Sequence, residues 1–455
     1  MSAWRAWGWY QGSPLSGLRW HGSGRPWQSQ TVDAHDRGTN SVTSGAKERA
    51  VSIPSPKAVI GERLSGRQIR CPACGGKRLE EFHAQESIPV NSCLLMNSRE
   101  EALAYPIGDL RLDWCRDCGF IFNSAFDPEL TKYSAGYEET QAFSARFVEF
   151  ARELVDDWVE RYELRGKVVF EIGCGKGEFL VMMAEAGIGR GIGIDPGVKP
   201  ERIRSPLHGR LEWIPGFFSD GYGPIEADAI VCRHTLEHIQ PVAEFLAQIR
   251  RAIGDRQETV LLFELPDVQR VLDEAAFWDI YYEHCSYFTE GSLARLFERS
   301  GFEVLDLARA YEDQYLLLEA RPVSRGAERR LWDSDDMNEL EVALETFSNG
   351  YDTVLRRWEE RLSAVRNAGG CTVIWGGGSK GVAFLSAVGD TVEAAVDINP
   401  YKRGMFMAGT GHPIIAPEEL ARLEPNLVIV MNSVYLDEIR EQLVDLGIET
   451  ELVAL

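Results

Sequence analysis

The sequence predicts an α/β protein with two doubly wound, Rossmann-like domains, which follow a disordered N-terminal extension and a small cysteine-rich ribbon. Two stretches favour the doubly wound domains, Val168–Gly177 and Cys371–Gly381. In each, an apolar strand runs into a glycine-rich turn and then a helix, as parallel βαβ units do. The expected parts are the extension 1–66, the ribbon 67–130, the first doubly wound domain 131–322, a linker and long helix 323–368, and the second doubly wound domain 369–455.

The composition limits the class of protein. The 455 residues carry a formal net charge of −22 and are 44% hydrophobic, as is typical of a soluble globular chain of two or three domains. The acidic charge argues against a nucleic-acid partner, and no apolar run approaches the ~20 residues of a membrane span. We therefore expect a small-molecule substrate, no nucleic acid, no membrane, and a monomer.

The extension shows no periodic pattern. It holds five of the twelve tryptophans among many Gly, Ser and Pro residues, and it lacks the continuous apolar core of a secretory signal. We interpret residues 1–66 as disordered, or as the result of a translation start placed too far upstream.

Four of the nine cysteines form two Cys-x-x-Cys motifs, Cys71-Pro-Ala-Cys74 and Cys115-Arg-Asp-Cys118, separated by forty residues. Four thiolates around one tetrahedral Zn²⁺ is the site that this spacing favours over a redox pair or free thiols. The sequence thus predicts a structural zinc ribbon, with an inserted hairpin such as Tyr105–Leu112 between the motifs. The other five cysteines lie singly and read as buried thiols, which fits the reducing cytoplasm where we expect the protein.

The first glycine-rich turn has the pattern Glu171-x-Gly173-x-Gly175-x-Gly177. It lacks the third glycine of the dinucleotide fingerprint Gly-x-Gly-x-x-Gly. Its spacing matches instead the S-adenosylmethionine loop of Rossmann-like methyltransferases. A second strand ends at Asp195, about twenty residues further on, where an acidic side chain commonly binds a ribose hydroxyl pair.

The segment Arg-His-x-Leu-Glu-His-Ile follows a further apolar strand, Ala229–Cys232, and resembles the post-strand segment of class I methyltransferases. That resemblance implies a cofactor-binding set made of Glu171, Gly173, Gly175, Gly177, Asp195, Phe218 and Ser219. Glu171 and the glycines would line the methionine end of S-adenosylmethionine, Asp195 the ribose, and the Phe-Ser pair the adenine. The alternative is a Rossmann-like domain with an empty or different pocket.

The same segment contains His234-x-x-Glu237-His238, which spells the inverted zinc-peptidase motif. Two histidines four apart on a helix share one face, as metal ligands require. However, the segment follows a buried strand of a glycine-loop domain and no further ligand is apparent nearby. The peptidase interpretation is therefore disfavoured, and ordinary helix histidines remain the alternative.

The second glycine-rich turn, Gly376-x-Gly378-x-x-Gly381, does satisfy the dinucleotide fingerprint, and the next strand ends at Asp397. An NAD site is therefore one interpretation of this domain. Lys380 and the cations of Asn399–Gly404 suit a phosphate better, so a nucleotide diphosphate is the second, and a bare structural domain the third. The candidate substrate-binding residues are Gly376, Gly378, Ser379 and Lys380.

An aromatic segment, Phe277–Phe288, follows strand Val260–Glu264, at the strand end where open α/β sheets bind ligands. His284 is a candidate general base. Glu283 could orient it or bind a substrate hydroxyl, and Tyr281 could donate to a developing oxyanion. The alternative is a packed aromatic lid with a structural histidine.

Over residues 67–455, the combination of these motifs resembles the S-adenosylmethionine-dependent C-methyltransferases of nucleotide-linked keto-deoxysugars. The motifs that carry the resemblance are the two cysteine pairs, Tyr105-Pro106-Ile107, Tyr133–Tyr137, Glu171-x-Gly-x-Gly, Tyr281-x-Glu283-His284, Gly-Ser-Lys-Gly and Asn399-Pro400. It implies that His284 is the base and that Tyr281, Glu283, His238 and Tyr137 surround the sugar. A base removes the proton α to the ketone, a donor stabilises the enolate, and the carbon attacks the sulfonium methyl.

Two further interpretations stay open at the sequence level. One is a methyltransferase for an oxygen or carbon of another small molecule, because a similar base would serve a hydroxyl group. The other is a zinc-ribbon binding protein with a vestigial methyltransferase domain.

Overall fold

The computed structural model of the protein describes residues 69–131, 136–203, 205–323 and 336–455. These described residues form one compact unit, and the predicted extension 1–66 lies outside them. Among the described helices, none has both the length and the hydropathy that crossing a membrane requires. Two mainly parallel sheets, with an antiparallel sheet of four strands and one of two strands, confirm the predicted α/β class in the described residues.

The cysteine motifs lie on an antiparallel sheet. The elements of this part of the chain are β1 (Leu79–Pro89), β2 (Leu95–Met96), α1 (Arg99–Leu103), β3 (Ile107–Cys115) and β4 (Ile121–Asn123), of which β1, β3 and β4 belong to that sheet. The predicted hairpin Tyr105–Leu112 is wrong, because β3 is one continuous strand that pairs with β1 from end to end. Alternate side chains of β3 are buried, so they need one uninterrupted face against the core.

A seven-stranded sheet forms the central domain. The elements are α2 (Ala145–Arg161), β5 (Val168–Ile172), α3 (Glu178–Glu185), β6 (Arg190–Ile194), β7 (Leu211–Ile214), β8 (Ala229–Arg233), α4 (Val242–Ile253), β9 (Val260–Pro266), α5 (Val268–Asp273), β10 (Ser286–Tyr287), α6 (Glu290–Arg299), β11 (Phe302–Ala310) and β12 (Tyr315–Pro322). The order is β11-β12-β9-β8-β5-β6-β7, and β12 alone runs antiparallel to the other strands of this sheet. The chain order reverses between β5 and β8, which places the expected ligand crevice at their carboxyl ends.

Two local features of this domain differ from expectation. The edge strand β7 escapes prediction because four residues carry too little pattern. The segment from His234 onward is not the expected helix: it contains one 3₁₀ turn, Leu236–His238, and His234 has a left-handed φ of +46°. His234 and His238 therefore do not share a helix face.

The C-terminal part contains the second doubly wound sheet. Its elements are α7 (Met337–Asn367), β13 (Thr372–Trp375), α8 (Ser379–Val388), β14 (Ala394–Val396), β15 (Phe406–Met407), β16 (Ile414–Ile415), β17 (Leu427–Val430), α9 (Leu436–Asp445) and β18 (Glu451–Ala454). The strands β16-β14-β13-β17-β18 are all parallel. The predicted long helix is confirmed with the bounds of α7, whereas the expected helix Pro417–Leu423 is a 3₁₀ helix, Pro417–Arg422.

Strand pairing and apolar packing join the three parts. β10 of the central domain adds to the cysteine-bearing sheet by pairing with β4, and β15 pairs with β2. One buried apolar cluster includes side chains of β3, α5, α7 and β13. The aromatic segment Phe277–Phe288 is consequently held from three sides.

Candidate active site

One cavity of about 600 Å³ lies at the carboxyl ends of β5 and β8 and reaches the second parallel sheet. Its walls come from both glycine loops, the segment after β8 and the aromatic segment before β10. The predicted residues on these walls are Tyr137, Glu171, Gly173, Gly175, Asp195, Phe218, His238, Tyr281, His284, Gly376, Gly378, Ser379 and Lys380. The remaining predicted residues of these sets, Gly177, Ser219 and Glu283, are not among the lining residues.

The first glycine loop is closed by its own backbone and by Asp195. Gly175 N donates to Asp195 Oδ2 at 3.0 Å, and Gly197 N donates to Oδ1 at 2.5 Å. Gly173 has a φ of +73°, and a Cβ there would lie 1.9 Å from Thr235 Oγ1. The loop therefore needs glycine for both its conformation and its packing.

Two of the predicted cofactor-binding residues do not line the cavity, and their surroundings differ. Gly177 has a φ of +83° at the start of α3, and a Cβ there would lie 2.6 Å from the Trp213 ring, so this glycine serves packing. Ser219 follows Phe218, whose ring packs edge-on against the core. Phe217 was not singled out from the sequence, yet it lines the cavity with 67% of its surface exposed. Its position next to Phe218 in the sequence is the signal from which it could have been predicted.

Glu171 is buried beside the glycine loop. Its Oε2 has no hydrogen-bond partner among the described residues. Burial raises the pKa of Glu171 to about 8, although the nearby Arg233 opposes the shift. This carboxyl group thus carries a proton for much of the time at neutral pH.

A buried ion cluster that sequence reasoning missed lies after β8. Arg233 Nε and Nη2 donate to Glu264 at 2.6 and 3.0 Å, and His234 Nε2 lies 2.8 Å from the same carboxylate. Burial lowers the pKa of His234, but Glu264 and Glu237 outweigh it and raise that pKa to about 9. The strained backbone of His234 is held by these charges.

Two histidines meet on the cavity wall. The ring centroids of His238 and His284 are 4.7 Å apart, and the two rings are edge to face. The ring centroid of Tyr281 lies 4.2 Å from that of His284. Burial, with the neighbouring His238 and His234, holds the pKa of His284 well below its usual value. The imidazole of His284 is therefore neutral at physiological pH, as a proton acceptor must be.

Glu283 is buried and connects distant parts of the chain. Its carboxylate accepts from Tyr137 OH at 2.8 Å, Asn91 Nδ2 at 3.2 Å and Ser92 N at 3.1 Å, and also from Ser92 Oγ. Its backbone oxygen lies 3.1 Å from His238 Nδ1. Sequence reasoning could not find Asn91 or Ser92, because they lie some 190 residues away without a motif.

The second glycine loop has the architecture of the first. Gly377 N donates to Asp397 Oδ2 at 3.0 Å, as Gly175 N does to its own acidic strand end. Asp397 also accepts from Asn399 N at 2.8 Å and Lys402 Nζ at 3.0 Å. The ion pair with Lys402, to which Asp195 has no counterpart among the described residues, occupies this carboxylate and disfavours the ribose contact of an NAD site.

Lys380 of this loop makes an ion pair with the aromatic segment. Its Nζ lies 3.0 Å from Asp279 and 3.3 Å from Gln314 Oε1. Arg270 Nη2 reaches the same carboxylate at 2.5 Å. One carboxylate thus gathers two cations at the cavity wall, between the two parallel-sheet domains.

The four cysteines of the two motifs converge. Cys71 Sγ lies 3.6 Å from Cys118 Sγ, and Cys74 Sγ lies 3.6 Å from Cys115 Sγ. Four sulfurs at ~2.3 Å from one Zn²⁺ would stand about 3.8 Å apart in a tetrahedron, so these distances fit that ion. The glycines after each motif both have a φ of +74°, as the expected tight turns require.

Two families match the chain. Residues 147–307 match the family described as "Methyltransferase domain", and residues 330–450 match "C-methyltransferase C-terminal domain". These matches fall on the two doubly wound sheets that share the cavity.

Individual relatives extend the likeness. The C-methyltransferase NovU of Streptomyces niveus is 26% identical over 392 residues, which are 81% of this chain and 90% of NovU. The mitochondrial ubiquinone biosynthesis O-methyltransferase of Schizosaccharomyces pombe is 29% identical over 108 residues, which span 22% of this chain and 39% of that relative. The solved 1,6-didemethyltoxoflavin-N1-methyltransferase of Burkholderia thailandensis is 20% identical, with a TM-score of 0.33, over 45% of this chain and 96% of that one. With both domain families matched, the chain is an S-adenosylmethionine-dependent C-methyltransferase.

Proposed function

We propose that the enzyme methylates a sugar carbon next to the ketone of a nucleotide-linked keto-deoxysugar, through an enolate. The observation that carries the proposal is that one continuous cavity is lined by the S-adenosylmethionine loop, the histidine pair and the second glycine loop. Such a cavity can accept a long substrate whose sugar and nucleotide ends contact different domains. The likeness to NovU over most of both chains supports a carbon acceptor.

His284 is the proposed base. Its low pKa keeps a ring nitrogen ready to take the proton α to the ketone, and the ring is packed between His238 and Tyr281. The C–H bond breaks, the proton moves to His284, and the electron pair passes to the ketone oxygen as an enolate. The carbon then forms its new bond to the methyl group while the sulfur–methyl bond breaks.

Tyr281 is the proposed donor to the enolate oxygen. Burial, with the nearby Asp279, raises the pKa of Tyr281 well above its usual value, so the phenol keeps its proton at neutral pH. Glu283 and Tyr137 act together, because the Tyr137 hydroxyl donates to the Glu283 carboxylate. We assign Glu283 a positioning role, since it orients Tyr137 and, through its backbone oxygen, His238.

The residues around the first glycine loop fit S-adenosylmethionine, which supplies the methyl group on a positively charged sulfur. Glu171 has an unpaired buried oxygen that suits a cationic ligand group. We propose that Glu171, Gly173 and Gly175 hold its methionine end, Asp195 its ribose, and Phe218 its adenine. Gly177 and Ser219 contribute through the shape of the loop.

For the nucleotide end of the substrate, we propose the second glycine loop. Gly376, Gly378 and Ser379 place backbone and hydroxyl donors on the wall, and Lys380 adds a cation. Nearby Arg270 supplies a second positive charge. We propose a structural Zn²⁺ on Cys71, Cys74, Cys115 and Cys118, where it stabilises the antiparallel sheet.

Proton exchange would test the function without methyl transfer. We would incubate the enzyme with S-adenosylhomocysteine and a dTDP-linked keto-deoxysugar in D₂O and follow the proton α to the ketone by NMR. The expected result is enzyme-dependent deuterium incorporation, lost in His284→Asn. Calorimetry with S-adenosylhomocysteine and then dTDP would show two separate sites. If S-adenosylhomocysteine binds but neither deuterium exchange nor nucleotide binding is seen, the proposal shifts to another small-molecule acceptor.

A further inference from the structure

We propose that Glu237, His238 and His284 form a second metal site, inside the cavity, for a divalent ion such as Zn²⁺, Co²⁺ or Ni²⁺. One ligand atom from each of the three side chains can be chosen so that all lie within 4.8 Å of one another. The site is separate from the four cysteines and differs from the His-x-x-Glu-His pattern of the sequence, because His284 takes part and His234 does not.

The two imidazoles are oriented as metal-binding imidazoles commonly are. His238 Nδ1 lies 3.1 Å from the backbone oxygen of Glu283, so the proton of the neutral ring belongs on Nδ1 and the lone pair on Nε2. A backbone carbonyl in this position fixes the tautomer and the ring of a ligating histidine. The ring of His284 lies beside that of His238, with 4.7 Å between the two ring centroids.

The third ligand is an independent sign that a cation belongs here. The Glu237 side chain is only 3% exposed and lies on the cavity wall, and its Oε2 has no hydrogen-bond partner among the described residues. The nearest cation on its other oxygen is His234 Nδ1, at 3.7 Å. A buried carboxylate oxygen without a partner is unfavourable, and a metal ion would satisfy it.

The ligand set selects the class of ion. Two imidazole nitrogens and one carboxylate oxygen suit Zn²⁺ and its first-row neighbours, whereas Mg²⁺ and Ca²⁺ prefer all-oxygen sites. Three protein ligands on a cavity wall leave coordination positions open toward the cavity. Those positions could be filled by water or by oxygen atoms of a bound sugar.

Occupation of this site would inhibit methyl transfer. A metal on His284 takes the lone pair with which the proposed base removes the substrate proton. This consequence rests on the proposed function, but the metal site itself does not, because binding can be measured without substrate.

The test is a Co²⁺ titration of the full-length enzyme that retains its cysteine-bound metal. We expect the wild type to bind one further equivalent, with a visible absorption band from nitrogen and oxygen ligands. In Glu237→Gln, affinity for this equivalent falls tenfold or more, the scale on which loss of metal-site partners acts. Glu226→Gln, an equal charge change at an exposed position, leaves it unaltered.

A second pair of variants covers the case in which Glu237→Gln fails to fold, as judged by binding of S-adenosylhomocysteine. His238→Asn removes a ligand, and His208→Asn removes an exposed imidazole as the matched control. The proposed site is overturned if the ligand and control variants bind Co²⁺ with equal affinity, or if the wild type binds no further equivalent of Co²⁺. We also expect activity to fall in parallel with occupancy and to return with a chelator. Binding without inhibition would leave the metal site in place and overturn the base role of His284.

Discussion

At the scale of single residues, the cavity owes its chemistry to groups whose protonation is set by burial. His284 is kept neutral, Tyr281 is kept protonated, and Glu171 is kept partly protonated, each because the charged form lacks solvent. The states of His284 and Tyr281 agree with the roles proposed for them, as base and donor, whereas Glu171 must release its proton to bind a cationic ligand group. The protonation states therefore lead to separate predictions.

The replacement His284→Asn should strongly reduce turnover but leave cofactor binding intact. Asparagine keeps a polar side chain of similar reach but cannot accept the proton, so the rate should fall by about 10²–10⁴-fold, the usual contribution of a general base. Methyl transfer and calorimetry with S-adenosylhomocysteine would be measured on the same preparation. His208→Asn, at an exposed position, serves as the control. Unaltered methyl transfer in His284→Asn would remove the base from the mechanism.

Glu171 should make cofactor binding depend on pH. Its pKa of about 8 means that a cationic ligand group must bind the minor, ionised form at pH 6 to 7 and displace a proton. Affinity for S-adenosylhomocysteine should therefore rise with pH, by up to about tenfold per unit, and level off above pH 8. Calorimetry in buffers of different ionisation enthalpy should show proton release. In Glu171→Gln this part of the pH dependence should vanish; an identical profile would show that another group is responsible.

At the scale of elements, the glycine loops are shaped by both conformation and contact. Gly173→Ala should lower the free energy of unfolding by more than the strain of a left-handed alanine, because the new Cβ would lie 1.9 Å from Thr235 Oγ1. Gly166→Ala is the matched control, since its φ of +75° is similar and nothing lies within 4 Å. We expect the free energy of unfolding to fall by about 1–2 kcal/mol in the control. In Gly173→Ala it should fall by clearly more, and cofactor binding should be lost. Urea unfolding and calorimetry would measure both, and equal costs would argue against the packing constraint.

Sequence patterns were sufficient where an element depends on its own residues. The helix α7 and the strand-turn-helix units around Gly173 and Gly376 follow from local periodicity and glycine spacing. Sequence patterns failed where the local structure depends on a contact with a residue far along the chain. The pairing of β3 with β1 and the contact of Glu283 with Ser92 are set by tertiary packing. The left-handed His234 likewise depends on Glu264, which lies thirty residues further on.

At the scale of the whole molecule, the ion pair between Lys380 and Asp279 connects the second glycine loop to the aromatic segment. Lys380→Met should weaken nucleotide binding by tenfold or more, because it removes the cation proposed to contact a diphosphate, whereas binding of S-adenosylhomocysteine should change little. The apolar replacement keeps the length of the side chain, and Arg270 remains to pair with the buried carboxylate. Calorimetry with dTDP tests this directly. Unchanged nucleotide affinity would place the nucleotide elsewhere.

The cysteine site should affect the distant active site, because the sheet that carries it is continued by β10, directly after His284. Cys118→Ser should lose the proposed Zn²⁺, lower the melting temperature by roughly 5 °C or more, and reduce activity, since the ribbon has little core of its own. Cys371→Ser, a half-buried single cysteine in the C-terminal domain, is the matched control. Metal content, thermal unfolding and methyl transfer would be compared in the two variants. If Cys118→Ser kept full activity after losing its metal, the antiparallel sheet would hold the aromatic segment Phe277–Phe288 through β4–β10 pairing and apolar packing alone.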